Sequence, residues 1–459
     1  MSLEKNSKNK LDFILEFIWL MIVFLVPLFL IRGVHNAFEI PKNILFQSLT
    51  EVLLFFYLVK LIVDGWPGKK FLWSRVKYFW PALIFITVLG FSTIFSQVPW
   101  FSFWGSWERR MGYLSWLHFF VFALILLINI KSNRQVYRLL LITALTSFLV
   151  TIYGFIQALG LEPFEWSYNP FLTKRIFSTI GQPNFLGSWL LLVIPLSLFG
   201  IIKKKSFLRI LSFISVLLLI SALVLTKSRG ALIGLIALIG FISFFFLWRK
   251  NKKLAMIPIF CFLSLIGLII FINKKGIDNT RLVNYPSLYR LQTFANLKMA
   301  GQYRLMHWRA SLDLIKQRPI LGYGLGAQRF NFPRYYQPEF AMYEKPNIYL
   351  DYAHNDILDM LLIAGFLGLV SYLFWLGSVF WRGLKYFLNK RENGVLVLLI
   401  LAGLFGYLVS LLFSFHIMST IIYFCLFIIL VIILTRAAKL KLRSAVCYNE
   451  SLRYFLYPN

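Results

Sequence analysis

A chain of 459 residues with 59% hydrophobic residues, 14% charged residues and a mean hydropathy of +0.72 is not an ordinary soluble domain, in which about a quarter of the residues carry charge. A formal net charge of +30, from 48 basic and 18 acidic residues, would suggest nucleic acid in a soluble protein. Here the basic residues cluster between apolar runs, the pattern of membrane topology and anionic-lipid contact, so no nucleic-acid partner is expected.

The apolar runs have the length of bilayer-crossing helices, about 17 to 22 residues. In chain order they occupy 12–31, 43–63, 79–96, 114–130, 137–158, 186–202, 207–226, 230–248, 254–272, 355–381, 394–413 and 417–435. The fold expected is an all-α polytopic membrane protein with about twelve transmembrane helices. No small-residue cleavage site follows the first run, which reads as a span and not as a removable leader. The three cysteines, Cys261, Cys425 and Cys447, show neither a pairing pattern nor metal spacing.

Basic clusters mark every second connection. Lys5, Lys8 and Lys10 precede the first span, Lys69, Lys70, Arg75 and Lys77 follow the second, and Lys131, Arg134 and Arg138 follow the fourth. The alternation continues through Arg436 after the twelfth, and it places these connections and both termini in the cytoplasm. The chain then divides into spans 1–9 (1–272), a periplasmic loop (273–353), spans 10–12 (354–435) and a cytoplasmic tail (436–459). A connection as long as 273–353 is usually functional.

Within that loop, Leu305, Trp308, Leu312 and Ile315 fall on one helical stripe that Pro319 ends, and Arg304, His307 and Ser311 share another face. An amphipathic helix on the outer membrane surface fits this pattern. Gly322-Tyr323-Gly324-Leu325-Gly326 lacks the features of a nucleotide loop. It reads as a tight turn whose backbone amides are available to an anion.

Several residues could carry chemistry. Arg229 sits at the outer end of the eighth span, either as a functional charge or as a side chain snorkelling to the headgroups. Arg304 has the forked geometry that suits phosphate, and its alternative is a solvated helix face. His354 stands at the start of the tenth span, where the positive end of the helix dipole would keep the imidazole neutral and able to act as a general base. The alternative is a capped interfacial histidine. Two polar outer loops, 105–112 with Arg109 and Arg110 and 179–185 with Gln182 and Asn184, suggest a shared extracytoplasmic cavity. No Asp-x-Asp pair or His/Glu ligand spacing is present.

The ordered set Ser228-Arg229-Gly230, Arg304 with Trp308, Pro319-Ile320-Leu321-Gly322-Tyr323-Gly324, Ala353-His354-Asn355-Asp356 and Gly365-Phe366-Leu367-Gly368 resembles the O-antigen ligase and O-antigen polymerase superfamily of bacterial envelope C-type glycosyltransferases. Glu108-Arg109 and Gln182-Pro183-Asn184 look like further motifs of that family. The resemblance implies a cofactor-free and metal-independent enzyme of the bacterial inner membrane. It would transfer a glycan, with inversion, from undecaprenyl pyrophosphate to an acceptor hydroxyl, lipid A–core in a ligase, on the periplasmic side. Arg229, Arg304 and Arg109 (or Arg110 beside it) would hold the pyrophosphate, His354 would activate the acceptor, and Asn355, Gln182 and Asn184 would support the site. Polymerase and protein O-oligosaccharyltransferase are alternatives on the same scaffold. A twelve-span transporter or flippase is an alternative of another class.

Overall fold

The computed structural model describes residues 2–166, 175–202, 206–258, 298–335 and 351–436. Among them the chain is helical, without strands. The helices are α1 (Ser2–Leu28), α2 (Glu39–Asp64), α3 (Lys69–Val76), α4 (Trp80–Ile94), α5 (Pro99–Trp104), α6 (Tyr113–Asn129) and α7 (Asn133–Ala158). They continue with α8 (Pro183–Ile202), α9 (Ser206–Leu225), α10 (Arg229–Lys250), α11 (Lys298–Gln317), α12 (Asp356–Leu388), α13 (Gly394–Leu411) and α14 (Met418–Arg436). Eight of these helices, α1, α2, α7, α8, α10, α12, α13 and α14, are long and apolar enough to cross a membrane, and α3 with α4, bent by 77°, makes a ninth if taken as one span. The apolar helices α6 and α9 are shorter and stand where the fourth and seventh spans were expected. The expected ninth span, 254–272, lies outside the described residues beyond its first turn. The architecture is that of an all-α polytopic membrane protein.

Side-chain patterning decides the position of each helix. α14 is apolar all round, and every side chain from Met418 to Leu434 is buried, as expected of a helix without a polar face. α2 is inverted relative to a soluble helix. It buries Glu39, Lys42, Asn43, Thr50 and Lys60 and exposes Phe55, Leu58 and Ile62, because polar groups are costly against lipid and turn to the bundle interior. α10 and α13 approach through small residues: a Cβ on Gly234 would lie 2.5 Å from the carbonyl oxygen of Gly406.

One end of the bundle collects basic residues. Arg75 Nη1 donates to the Ile130 carbonyl at 2.8 Å, Arg436 Nη1 to the Leu127 carbonyl at 3.0 Å, and Arg138 pairs with Glu16 at 2.7 Å. The clusters after the second, fourth and twelfth expected spans therefore share one end. The polar loops gather at the other end. Asn36 Nδ2 donates to the Glu108 carbonyl (3.2 Å), Arg329 pairs with the Glu108 carboxylate (3.0 Å), and Gln328 Nε2 donates to the Asp351 carbonyl (3.0 Å).

Three expectations change. α12 is not continuous: Gly365 breaks it at φ 62°, ψ −160°. The stretch from Pro319 to Gly324 runs beside the break and satisfies it. The Tyr323 and Gly324 amides donate to the Leu362 and Ile363 carbonyls (2.8 and 2.9 Å), and Phe366 N–H donates to the Pro319 carbonyl (2.7 Å). Irregular backbone is tolerated at membrane depth where protein surrounds it. Two amides of the glycine-rich turn are consumed in this way, so Tyr323 and Gly324 brace the break and their amides are not available to an anion. The third change concerns α11. Its polar face is turned inward: His307 and Ser311 are buried, whereas Leu305 and Leu312 are 50% and 47% exposed. The solvated-face reading of Arg304, which is half-buried, fails for the same reason.

Candidate functional site

The site forms around the loop 412–417, between α13 and α14. Arg304 Nη2 donates to the Phe413 carbonyl at 3.2 Å, and its guanidinium carbon lies 5.4 Å from the Phe413 ring. Arg229 is the first residue of α10, whose N-cap Ser228 accepts from the Ala231 amide at 3.4 Å. The adjoining Gly230 sits against Phe413, where an added Cβ would be 3.2 Å from the phenylalanine Cβ. Burial lowers the Arg304 pKa, and the like charge of Arg229 adds to the shift. The Arg304 guanidinium nevertheless stays charged, since arginine does not deprotonate in proteins. The cost of two neighbouring cations falls when an anion lies between them.

His354 lies just before α12. Asn355 caps the helix, its Oδ1 accepting from the Ile357 and Leu358 amides at 3.1 and 3.3 Å. The Asp359 carboxylate reaches back to accept from the Ala353 amide at 2.7 Å. Between these anchors His354 adopts φ 55°, a left-handed conformation that costs of order 1–3 kcal/mol in a non-glycine residue and persists only when its surroundings hold it. His354 Nδ1 is 3.1 Å from the Tyr352 carbonyl oxygen. A carbonyl can only accept, so this contact puts the proton on Nδ1 and leaves a lone pair on Nε2 that can take up a proton. Burial is the chief cause of its lowered pKa, with Arg109 and Arg304 acting in the same direction and Asp351 and the Tyr352 carbonyl opposing them. The neutral imidazole expected from the sequence is thus favoured, chiefly by burial. His307 stands 6.2 Å away, ring to ring, and burial pushes its pKa down to about 3.

Arg109 comes from the loop 105–112 and pairs with Asp351 at 2.7 Å. Its guanidinium lies over the rings of Tyr352 and Phe415, at 5.1 and 4.5 Å. Those rings stack on each other at 4.7 Å, and Phe415 meets His354 edge-on at 5.1 Å. Arg109 therefore fixes the segment that carries His354. Arg110 is exposed, and its carbonyl accepts from Ser115 Oγ (2.6 Å) and Asn43 Nδ2 (2.9 Å). Of the two arginines, Arg109 is the one turned toward the cluster.

The structure brings Arg229, Arg304, His354 and Arg109 to one loop. Asn355 is used as a helix cap. Asn184 accepts from Arg175 Nη2 at 3.2 Å, and Gln182 lines an adjoining cleft. Sequence reasoning missed Arg175, whose Nε also donates to the Thr226 carbonyl at 3.0 Å, three residues before Arg229. It also passed over His416. Tyr407 Oη lies 2.7 Å from His416 Nδ1, and Asp356 Oδ1 lies 3.2 Å from its Nε2. That buried group ties the loop 412–417 to the start of α12. A histidine next to two phenylalanines in a short break between apolar runs was the available signal. Among the described residues, no three or more His, Cys, Asp or Glu side chains gather as a metal site.

Residues 214–373 match a family model described as O-Antigen ligase. The matched segment contains Arg229, Arg304, His354 and the Gly365 break. Arg109, Arg175, Gln182, Asn184 and the loop 412–417 fall outside it. No curated protein matches the chain.

Proposed function

We propose that this chain, whose residues 214–373 match the O-antigen ligase family model, is a ligase-type glycosyltransferase of the O-antigen ligase/polymerase superfamily. It moves a glycan from undecaprenyl pyrophosphate to a hydroxyl of lipid A–core on the periplasmic face of the inner membrane. The observation that carries this reading is the convergence of Arg229, Arg304 and His354 on the loop around Phe413 and Phe415.

In this reading the acceptor oxygen attacks the anomeric carbon in line with the departing pyrophosphate. The new carbon–oxygen bond forms as the bond to phosphate oxygen breaks, and the configuration inverts. His354 Nε2 takes the proton from the acceptor hydroxyl, a role its Nδ1 contact with Tyr352 leaves open. The electron pair of the broken bond leaves with the pyrophosphate. Arg229 and Arg304 neutralise that charge through charge-assisted hydrogen bonds. Arg109 holds Asp351 and Tyr352, and with them the base.

The test is transfer by the purified protein in nanodiscs, with a labelled undecaprenyl-pyrophosphate glycan and, in separate runs, lipid A–core, a second repeat unit and a peptide as acceptors. Transfer to lipid A–core is expected, unaffected by EDTA, with a loss of about 10²-fold or more in His354→Ala. Full transfer by His354→Ala would refute the role of the base. Transfer only to another acceptor would replace the ligase assignment, and no transfer to any acceptor would leave a transporter as the better reading.

A further inference from the structure

Two open clefts adjoin the cluster and are absorbed by nothing above. One, of about 540 Å³, has Arg32, His35, Phe38, Glu108, Glu165 and Trp166 among its lining, with Arg109 at its inner wall. The other, of about 330 Å³, is lined by Phe38, Trp166, Arg175, Phe177, Gln182 and Asn184. Phe38 and Trp166 line both, so the two form one trough. At one end Arg109 leads to Tyr352, Phe415 and His354. At the other, Arg175 leads through the Thr226 carbonyl to the start of α10 and Arg229.

We infer that this trough is a saccharide-binding site, which holds the sugar rings of a glycan substrate while its reacting end lies among Arg229, Arg304 and His354. The inference rests on the glycosyltransferase reading for the reaction but on the trough itself for the ligand class. Each cleft is within the ~300–1,000 Å³ typical of small-molecule sites. Its floor is aromatic: Phe38 packs on Trp166 at 4.9 Å and on Phe177 at 5.8 Å. Pyranose rings present flat C–H faces that suit such a floor. The rim carries exposed Arg32, Glu165 and Gln182, donors and acceptors together, which is what sugar hydroxyls require of a site because each hydroxyl both donates and accepts. A site for a polyanion would carry one sign of charge. Here the signs are mixed, and Glu108 is already engaged by Arg329 at 3.0 Å, as Arg109 is by Asp351 at 2.7 Å.

The sugar could belong to the acceptor or to the lipid-linked donor, and the experiment separates the two. Direct binding of lipid-free core oligosaccharide and of the delipidated repeat-unit oligosaccharide is measured by calorimetry on the full chain in nanodiscs. The wild type is compared with Trp166→Ala, Arg32→Gln and His354→Ala. The KM of each substrate is measured in the transfer assay. Trp166→Ala and Arg32→Gln are expected to weaken one oligosaccharide by tenfold or more and to raise the matching KM with kcat little changed. His354→Ala should bind as the wild type does. Arg32→Gln, on an exposed loop, covers the case in which Trp166→Ala does not fold. Wild-type affinity for both oligosaccharides in Arg32→Gln and in folded Trp166→Ala, with both KM values within twofold, would overturn the site even if transfer is intact. Absence of transfer by the wild type would refute the reaction, yet loss of oligosaccharide binding in the trough variants would still support the site.

Discussion

The base proposed at His354 is defined by its neighbours more than by its residue type, and the pH dependence expected of it follows from them. Burial lowers its pKa below the ordinary 6.5, so the neutral form that accepts a proton persists as pH falls through 6.5. The acid limb of kcat/KM for transfer is therefore expected below pH 6.5, and a limb at or above 6.5 would contradict the buried base. His307 gives a second pH effect, this time on stability. Its folded pKa of about 3 is depressed, while the unfolded chain takes up the proton near 6.5. The stabilisation is complete above pH 6.5 and is lost as pH falls toward 3, with a slope of up to about 1.4 kcal/mol per pH unit. The protection factors of amides in 298–317, which correct for the slower intrinsic exchange at lower pH, should fall accordingly between pH 6.5 and 5, and His307→Leu should remove most of that fall. Arg304 and His354 were legible because charged and titratable residues are rare beside apolar spans. Asp351, Phe413 and Phe415 were not, since their meaning lies in contacts between segments far apart in sequence.

Among the helices, the break in α12 is the feature that most shapes the site, and it was hidden in the sequence. Ala364-Gly365-Phe366-Leu367-Gly368 reads as uninterrupted apolar helix, and only the backbone of Pro319–Gly324 beside it accounts for the interruption. Gly365 takes φ 62°, and a Cβ there would meet the carbonyl carbon and oxygen of Ile320 at 2.3 Å. Both backbone strain and collision oppose any side chain. Gly365→Ala is expected to destabilise the protein by at least about 2 kcal/mol, seen as a lower thermal midpoint in fluorescence-detected size exclusion, and to abolish transfer. Gly377 lies farther along the same helix with nothing within 4 Å of an added Cβ. Gly377→Ala should leave the midpoint unchanged or raise it, by up to about 1 kcal/mol in stability. Equal effects at the two positions would show that the break is not required. The other helices were readable because unbroken apolar composition alone specifies a lipid-facing or fully buried helix. The inward turn of the polar faces of α2 and α11 follows from the same rule once the solvent is lipid.

At the scale of the molecule, the chain is polarised. Arg75, Arg138 and Arg436 meet at one end, and the arginine cluster with His354 lies at the other. The alternation of basic connections made this legible before any helix was placed, because translocation of short basic loops is disfavoured and the bias is written directly into composition. Contacts fix which loops share an end, whereas the side of the membrane each end faces follows only from charge. The proposed substrate assignment depends on that side, since the acceptor proposed for it would have to reach His354 from the periplasm. Val34, 40% exposed in the loop before α2, and Lys390, exposed in the turn after α12, lie at opposite ends. In a background without the native cysteines, Val34→Cys should react with a membrane-impermeant maleimide in cells whose outer membrane alone is permeabilised. Lys390→Cys should react only after the inner membrane is opened. Labelling of Lys390→Cys in closed cells with protection of Val34→Cys would invert the molecule and turn the arginine cluster to the cytoplasm. Labelling of both from one side would mean that the number of crossings between them is even, contrary to the topology that the charge alternation implies.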